Sequence, residues 1–243
     1  MTSQTAPLNY QLRRSNRAKK TRIVVTHDRI EVVAPHDVPE QRIRTFVTAQ
    51  RDWIDAARRR IADRARQTPT LAPAHYASGA EIPYQGRLLT LGIEPQNIKT
   101  MRIRMPDAER LIIYLPRSMM EMDHQRSIKQ ALESWMKQQA REHATTLIER
   151  HASTFDLQPR SLRIKTQKSR WGSCGPKNDI NLNWLLILAP PAIIEYVVVH
   201  ELCHIRHKNH SKDFWQLVSA HLPDYLHHRE WLKRHGAQLM LGL

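Results

Sequence analysis

Residues 191–206 read PAIIEYVVVHELCHIR, and the conformation of this stretch decides the fold. Its three successive valines favour a strand by propensity. Pro190 and Pro191, by contrast, suit the first turn of a helix, where a missing N–H costs nothing. The apolar residues Ile193, Ile194, Val197, Val198 and Val199 occupy several helical faces, so the expected helix is buried. The helical reading also gives His200-Glu201-Leu202-Cys203-His204 a chemical meaning. Positions four apart differ by about 40° of rotation, so two imidazoles leave one face and can hold one metal ion. A buried helix does not carry two His and a Glu without partners for them.

Neutral imidazole is a good zinc ligand, and Glu201 can reach a metal-bound water without ligating the metal. The expected chemistry is therefore a zinc site with Glu201 as general base. A catalytic zinc takes three protein ligands and keeps an open position. His210, ten residues after His200, has the ligand spacing of metzincin-type proteases, but His207 stands where they place a turn-making Gly. His207, Asp213 and, in a gluzincin-like layout, Glu230 are the other candidates for third ligand. Ser211 reads as the N-cap of a following helix, SKDFWQLV. Cys203 is expected in the core and Cys174 in a packed turn, whereas His221, His227, His228 and His235 are expected on solvated helix faces. His143 and His151 are expected to face out or pack at a helix edge.

Upstream, Leu162–Lys165 reads as a strand, Gln167–Lys177 as a loop and Ile180–Leu188 as a returning strand. A long helix is expected from Asp123 to Ser153, with Ile128, Leu132, Trp135, Met136, His143, Leu147 and Ile148 on its stripe. Lys99–Met105 and Arg110–Leu115 pair across the Pro106-Asp107 turn, and Tyr84–Leu91 forms one β segment. Nearer the N-terminus, Thr21–Thr26 and Arg29–Ala34 read as a hairpin turning at His27-Asp28. A single amphipathic helix is expected over residues 39–66, followed by a linker at Thr68–Pro73. The expected class is α+β, with a basic, flexible N-terminus (1–20), a β-rich lobe containing one long helix (21–118) and a catalytic domain (119–243).

The 243 residues include 38 Lys and Arg against 23 Asp and Glu, a formal charge of +15. The excess gathers at Arg13, Arg14, Arg17, Lys19, Lys20, Arg22 and Arg58-Arg59-Arg60. Such a field attracts polyanions, so non-specific nucleic acid is a candidate partner, although no motif for base-specific readout is present. Seven glycines and no GxGxxG or GxxxxGK[ST] argue against a glycine-rich phosphate cradle. Two cysteines fit a reduced, cytoplasmic setting. The most apolar stretch, Trp184 to Val199, is too short to span a bilayer, so no membrane partner is expected.

Four linked segments resemble the YgjP-like metallopeptidase family. They are Gln167-Lys168-Ser169-Arg170-Trp171-Gly172-Ser173-Cys174, Ile180-Asn181-Leu182-Asn183, Tyr196 to His204, and Asn209-His210-Ser211 with Phe214-Trp215. More distantly, the chain is similar to SprT-like and Wss-type proteases. The resemblance implies a zincin-like fold in which His200, His204 and His210 bind one zinc and Glu201 is the catalytic base. It implies that the RWGSC and INLN segments run beside the helix and line a cleft for an extended peptide, with Arg170, Trp171 and Ser173 as candidate substrate contacts. The expected function is a zinc-dependent peptidase. The alternatives are a nucleoside triphosphate (UTP) pyrophosphatase on the same site, an activity assigned to one bacterial member, and a DNA-associated protease or non-enzymatic nucleic-acid-binding protein.

Overall fold

The computed structural model describes residues 8–26, 29–67, 70–119 and 123–243, which form two compact units, Met1–Pro69 and Thr70–Leu243. In the first unit, β1 (Gln11–Arg14), β2 (Arg22–Val25) and β3 (Ile30–Ala34) make a sheet of order β1-β3-β2. β2 runs antiparallel to β3, as expected, and the His27-Asp28 turn lies outside the described residues. The N-terminal stretch expected to be flexible supplies β1, which pairs in parallel with the other edge of β3. Arg13 ion-pairs with Glu31 there, and the Arg14 guanidinium donates to the carbonyls of Pro35 and Val38. These local bonds anchor a strand whose sequence lacks an apolar alternation.

The helix expected over 39–66 is two helices, α1 (Glu40–Ala49) and α2 (Arg51–Gln67), broken at Gln50. Gln50 leaves helical geometry (ψ 12°), so Ile43 and Val47 of α1 and Ile54 of α2 can all face the same small core with Ile30, Val32 and Ala34. Trp53 is left 46% exposed.

The second unit begins with β4 (Glu81–Tyr84), β5 (Arg87–Gln96), β6 (Arg102–Arg104) and β7 (Arg110–Pro116), in sheet order β4-β5-β7-β6. The segment expected as a single strand at Tyr84–Leu91 is a tight hairpin. Gln85 and Gly86 both take positive φ (49° and 76°), as a two-residue turn between twisted strands requires. That turn docks on the residues before the helix carrying the histidines: Gln85 and Gly86 donate N–H to the carbonyls of Ile187 and Leu188. A Cβ at Gly86 would lie 2.8 Å from the Pro190 ring, so only glycine fits.

The long helix α3 (Gln125–Phe155) agrees closely with expectation and buries Ile128, Leu132, Met136, Ala140, Ala144, Leu147 and Ile148. β8 (Ser161–Lys165), β9 (Gly172–Cys174) and β10 (Asp179–Asn183) form a second sheet of order β8-β10-β9. The strand expected to run to Leu188 ends at Asn183. Trp184–Leu188 winds into a 3₁₀ turn, started by the Asn183 side chain accepting from the Leu185 N–H. All five of its residues are buried, so their continuous apolar run reflects all-round packing and not a strand.

α4 (Pro191–Arg206), α5 (Lys212–His221) and α6 (Tyr225–Leu239) complete the unit. α4 is central, packed by α3, α5, α6 and β9. Val197, Val198 and Val199 are 4%, 0% and 0% exposed. Burying each stabilises by about 1.5–3 kcal/mol, several times the roughly half kcal/mol that helical valine costs. Burial therefore overrides strand propensity. The boundary expected between residues 118 and 119 lies inside this unit, where the β4–β7 sheet and α3–α6 share one core.

Candidate metal centre

The three imidazoles come from α4 and the loop that follows it. His200 and His204, one turn apart on α4, share a face, and their rings are 4.9 Å apart. His207–Asn209 reverse the chain and present His210, whose ring is 5.0 Å from that of His200 and 4.7 Å from that of His204. The Ser211 hydroxyl then accepts from the Phe214 N–H and starts α5, as its sequence position predicts. Phe214, fully buried, floors the site: its ring lies 4.5–4.9 Å from all three imidazoles.

The geometry suits a metal ion. One ligand atom from each of His200, His204 and His210 lies within 4.8 Å of the others, the only such His/Cys/Asp/Glu group among the described residues. The His200 and His210 Nε2 atoms are 3.1 Å apart. Two imidazoles on one tetrahedral zinc, at bond lengths of about 2.0–2.1 Å, would be separated by about 3.3 Å. His204 Nδ1 donates to the His207 carbonyl at 2.9 Å, which leaves its Nε2 lone pair free for a metal. Burial, reinforced by the neighbouring His204 and His210, lowers the His200 pKa to about 3. His200 is thus neutral and ligand-competent near pH 7.

The other third-ligand candidates stand elsewhere. Glu230 pairs with Lys233 and Arg234 on the surface of α6. His207 contributes its carbonyl to His204, and Asp213 sits in the exposed first turn of α5.

Glu201 is 5% exposed and turns toward β9. Burial raises its pKa to about 8, against the lowering effects of the Cys174 N–H, which donates to it, and of the Arg170 charge. Its Oε2 has no hydrogen-bond partner in the protein, as befits a carboxylate held for a ligand or water. A Cβ on Gly172 would stand 2.5 Å from Glu201 Oε1, so the glycine of RWGSC makes room for this carboxylate.

β9 is an edge strand of its sheet and lies beside α4. Among the candidate substrate contacts, Arg170 is exposed and close enough to act on Glu201, while Ser173 accepts from Asn181 across the β9–β10 ladder. Trp171 packs on α6, its indole 3.4 Å from where a Cβ on Gly236 would be, which indicates an anchoring part. The loop carrying these residues is tied down by Asn183, 1% exposed, whose amide donates to the carbonyls of Gln167 and Arg170.

Sequence reasoning missed several participants. Tyr196 precedes His200 by four residues and so shares its face, a relation readable from spacing. Gly172, Phe214 as floor and Asn183 become visible only when β9, α5 and β10 are brought to α4. Cys203 is fully buried, as expected, and Cys174 is half-buried, its thiol pKa raised by burial. His151 and His221, expected at a helix edge and on a solvated face, are instead buried. Their Nδ1 atoms are 3.1 Å apart, His151 Nε2 is 2.8 Å from Glu195, and His221 lies on Phe155 with ring centres 3.7 Å apart. The meeting of α3, α4 and α5 encloses them.

A crystal structure of the metallopeptidase zymogen abylysin from Pyrococcus abyssi is 22% identical over 40% of this chain and 94% of its own, with a TM-score of 0.35. A comparison with curated proteins finds no match. The family model for the YgjP-like metallopeptidase domain matches residues 19–235, and the chain, α+β in its architecture, belongs to that family of metal-dependent peptidases.

Proposed function

We propose that the protein is a zinc peptidase in which His200, His204 and His210 hold one zinc ion and Glu201 is the general base. The observation that carries this reading is the convergence of three imidazoles beside a buried, partly unsatisfied carboxylate. When bound, zinc would supply Lewis acidity toward water and the scissile carbonyl. Glu201 takes the proton from the attacking water on its carboxylate and passes it to the leaving amine. Gly172 and the Cys174 N–H hold that carboxylate in one orientation. The open edge of β9 would receive an extended peptide by strand addition, as edge strands do elsewhere. Arg170, exposed at the start of that strand, would face the bound chain.

A second reading, hydrolysis of UTP, is favoured by the exposed cations Arg170 and Lys208, the latter 2.7 Å from Asn178 Oδ1. The basic first unit is read as a non-specific polyanion surface. One experiment separates these readings. Wild type and Glu201→Gln are assayed for bound zinc and for activity on unfolded casein, with and without DNA, and on UTP. The peptidase reading expects one zinc per chain in both proteins and casein cleavage at least about 100-fold lower in the variant. Undiminished cleavage by Glu201→Gln would overturn it. Glu201-dependent pyrophosphate release from UTP would establish the second reading, and cleavage indifferent to DNA and salt would remove the nucleic-acid partner.

A further inference from the structure

We propose that α6 and the start of α5 form a carboxylate-recognising subsite beside the metal centre, so that preferred peptides carry an acidic group near the scissile bond. This inference rests on the peptidase reading above.

A column of rings leads away from the metal ligands. The Trp215 indole stacks on the imidazole of His210 at 5.6 Å and 24°, and stands edge-on to His200 at 5.8 Å. Tyr225 stacks on Trp215 in turn, at 5.4 Å and 18°. The Arg229 guanidinium lies 4.8 Å from the centre of the Trp215 ring. Lys212, Trp215, Gln216, Tyr225 and Arg229 line one open surface pocket. This pocket is therefore one ring removed from a metal ligand.

The charge of the pocket is unanswered among the described residues. Neither Arg229 nor Lys212 is in an ion pair among the described residues. The nearest carboxylate in sequence, Glu230, is taken by Lys233 and Arg234, and neither Asp213 nor Asp224 pairs with them. Arg229 lies over the Trp215 ring, which also meets His200 and His210, so its charge stands on the metal side of α6. A guanidinium laid on an indole keeps its N–H fork free and pre-oriented, the geometry that suits a planar carboxylate. The aromatic walls would cover the aliphatic part of the ligand. An acidic side chain and the terminal carboxylate of a peptide share this chemistry.

The test uses the full, zinc-loaded chain and matched fluorogenic peptides. One set exchanges Glu for Gln at each position flanking the cleaved bond, and a second compares free-acid with amidated C-termini. Wild type is expected to favour one acidic twin by about tenfold in kcat/KM, mostly through KM, and the set showing the preference identifies the source of the carboxylate. Arg229→Gln is expected to bring that ratio close to one, and Arg229→Lys to restore part of it. A merely structural role for Arg229 would lower both twins together and leave the ratio intact, which would overturn the proposal. So would equal cleavage of the twins by wild type.

Fluorescence anisotropy of the same labelled twins on metal-free protein supplies a second readout. Tighter binding of the acidic twin, lost in Arg229→Gln, supports the subsite even if no peptide is cleaved. In that outcome the peptidase reading alone falls. Equal binding of both twins overturns the subsite.

Discussion

At the scale of the residue, the fit between Gly172 and Glu201 is the sharpest constraint in the site. A methyl group at position 172 would meet Oε1 at 2.5 Å, inside any permitted contact, and would push the carboxylate off its line. Displacing a catalytic group by about 1 Å can cost about 100-fold in rate. Gly172→Ala is therefore expected to lower kcat about 100-fold while zinc stoichiometry stays at one per chain, measured by metal analysis beside single-turnover kinetics. Loss of zinc in that variant would show that the glycine serves the metal ligands instead. The identity of Glu201 is legible in the HExxH spacing, but its dependence on Gly172 is not. The two residues lie 29 positions apart and meet only because β9 is folded onto α4.

Elements add effects that no single residue carries. α4 ties His200 and His204 to the core through Leu202, which is 0% exposed, so Leu202→Ala is expected to destabilise the second unit by about 2–5 kcal/mol. Ser211→Ala, which removes the N-cap of α5, should cost only about 1 kcal/mol. Denaturant midpoints should preserve that order. The junction of α3, α4 and α5 also has a pH signature. Burial, and secondarily the charge of His151, lowers the His221 pKa to about 4, below the 6.5 it has when unfolded. The unfolded chain thus binds more protons in this window. Stability from His221 is complete above pH 6.5 and is lost as pH falls toward 4. Between pH 7 and pH 5 the loss is about 2 kcal/mol. His221→Phe, placed in the same slot against Phe155, should have a flatter stability profile over that range than wild type. An unchanged slope would mean that other groups govern acid sensitivity.

For the whole molecule, the division into two units with separate cores predicts separable defects. Ile43→Ala, in the core of the first unit, should lower the thermal transition reported by Trp53 fluorescence and leave zinc affinity unchanged, since all three candidate ligands belong to the second unit. Reduced zinc affinity in that variant would show that the metal centre depends on the first unit. Among the described residues no helix is long and apolar enough to cross a membrane.

The chain alone determined what depends on short-range periodicity. α4 was legible to its ends, because Pro190-Pro191 starts it and its chemistry requires four-residue spacing on one face. α3, the β6–β7 pair and the Ser211 cap were readable for similar reasons of stripe, turn and cap. The candidacy of His200 and His204 as ligands follows from that spacing, whereas that of His210 needed either a resemblance or the observed reversal at His207–Asn209. Tertiary structure decided whatever depends on contacts between distant segments. It broke the 39–66 helix at Gln50 so that two helices could share a core. It wound Trp184–Leu188 into a 3₁₀ turn because every face there is covered, and it buried His151 and His221 between three helices. It also brought Gly172 and Phe214 to the candidate metal centre, and Arg229 onto the Trp215 ring beside it. Spacing along one element sets which side chains share a face, but only packing between elements sets what that face meets.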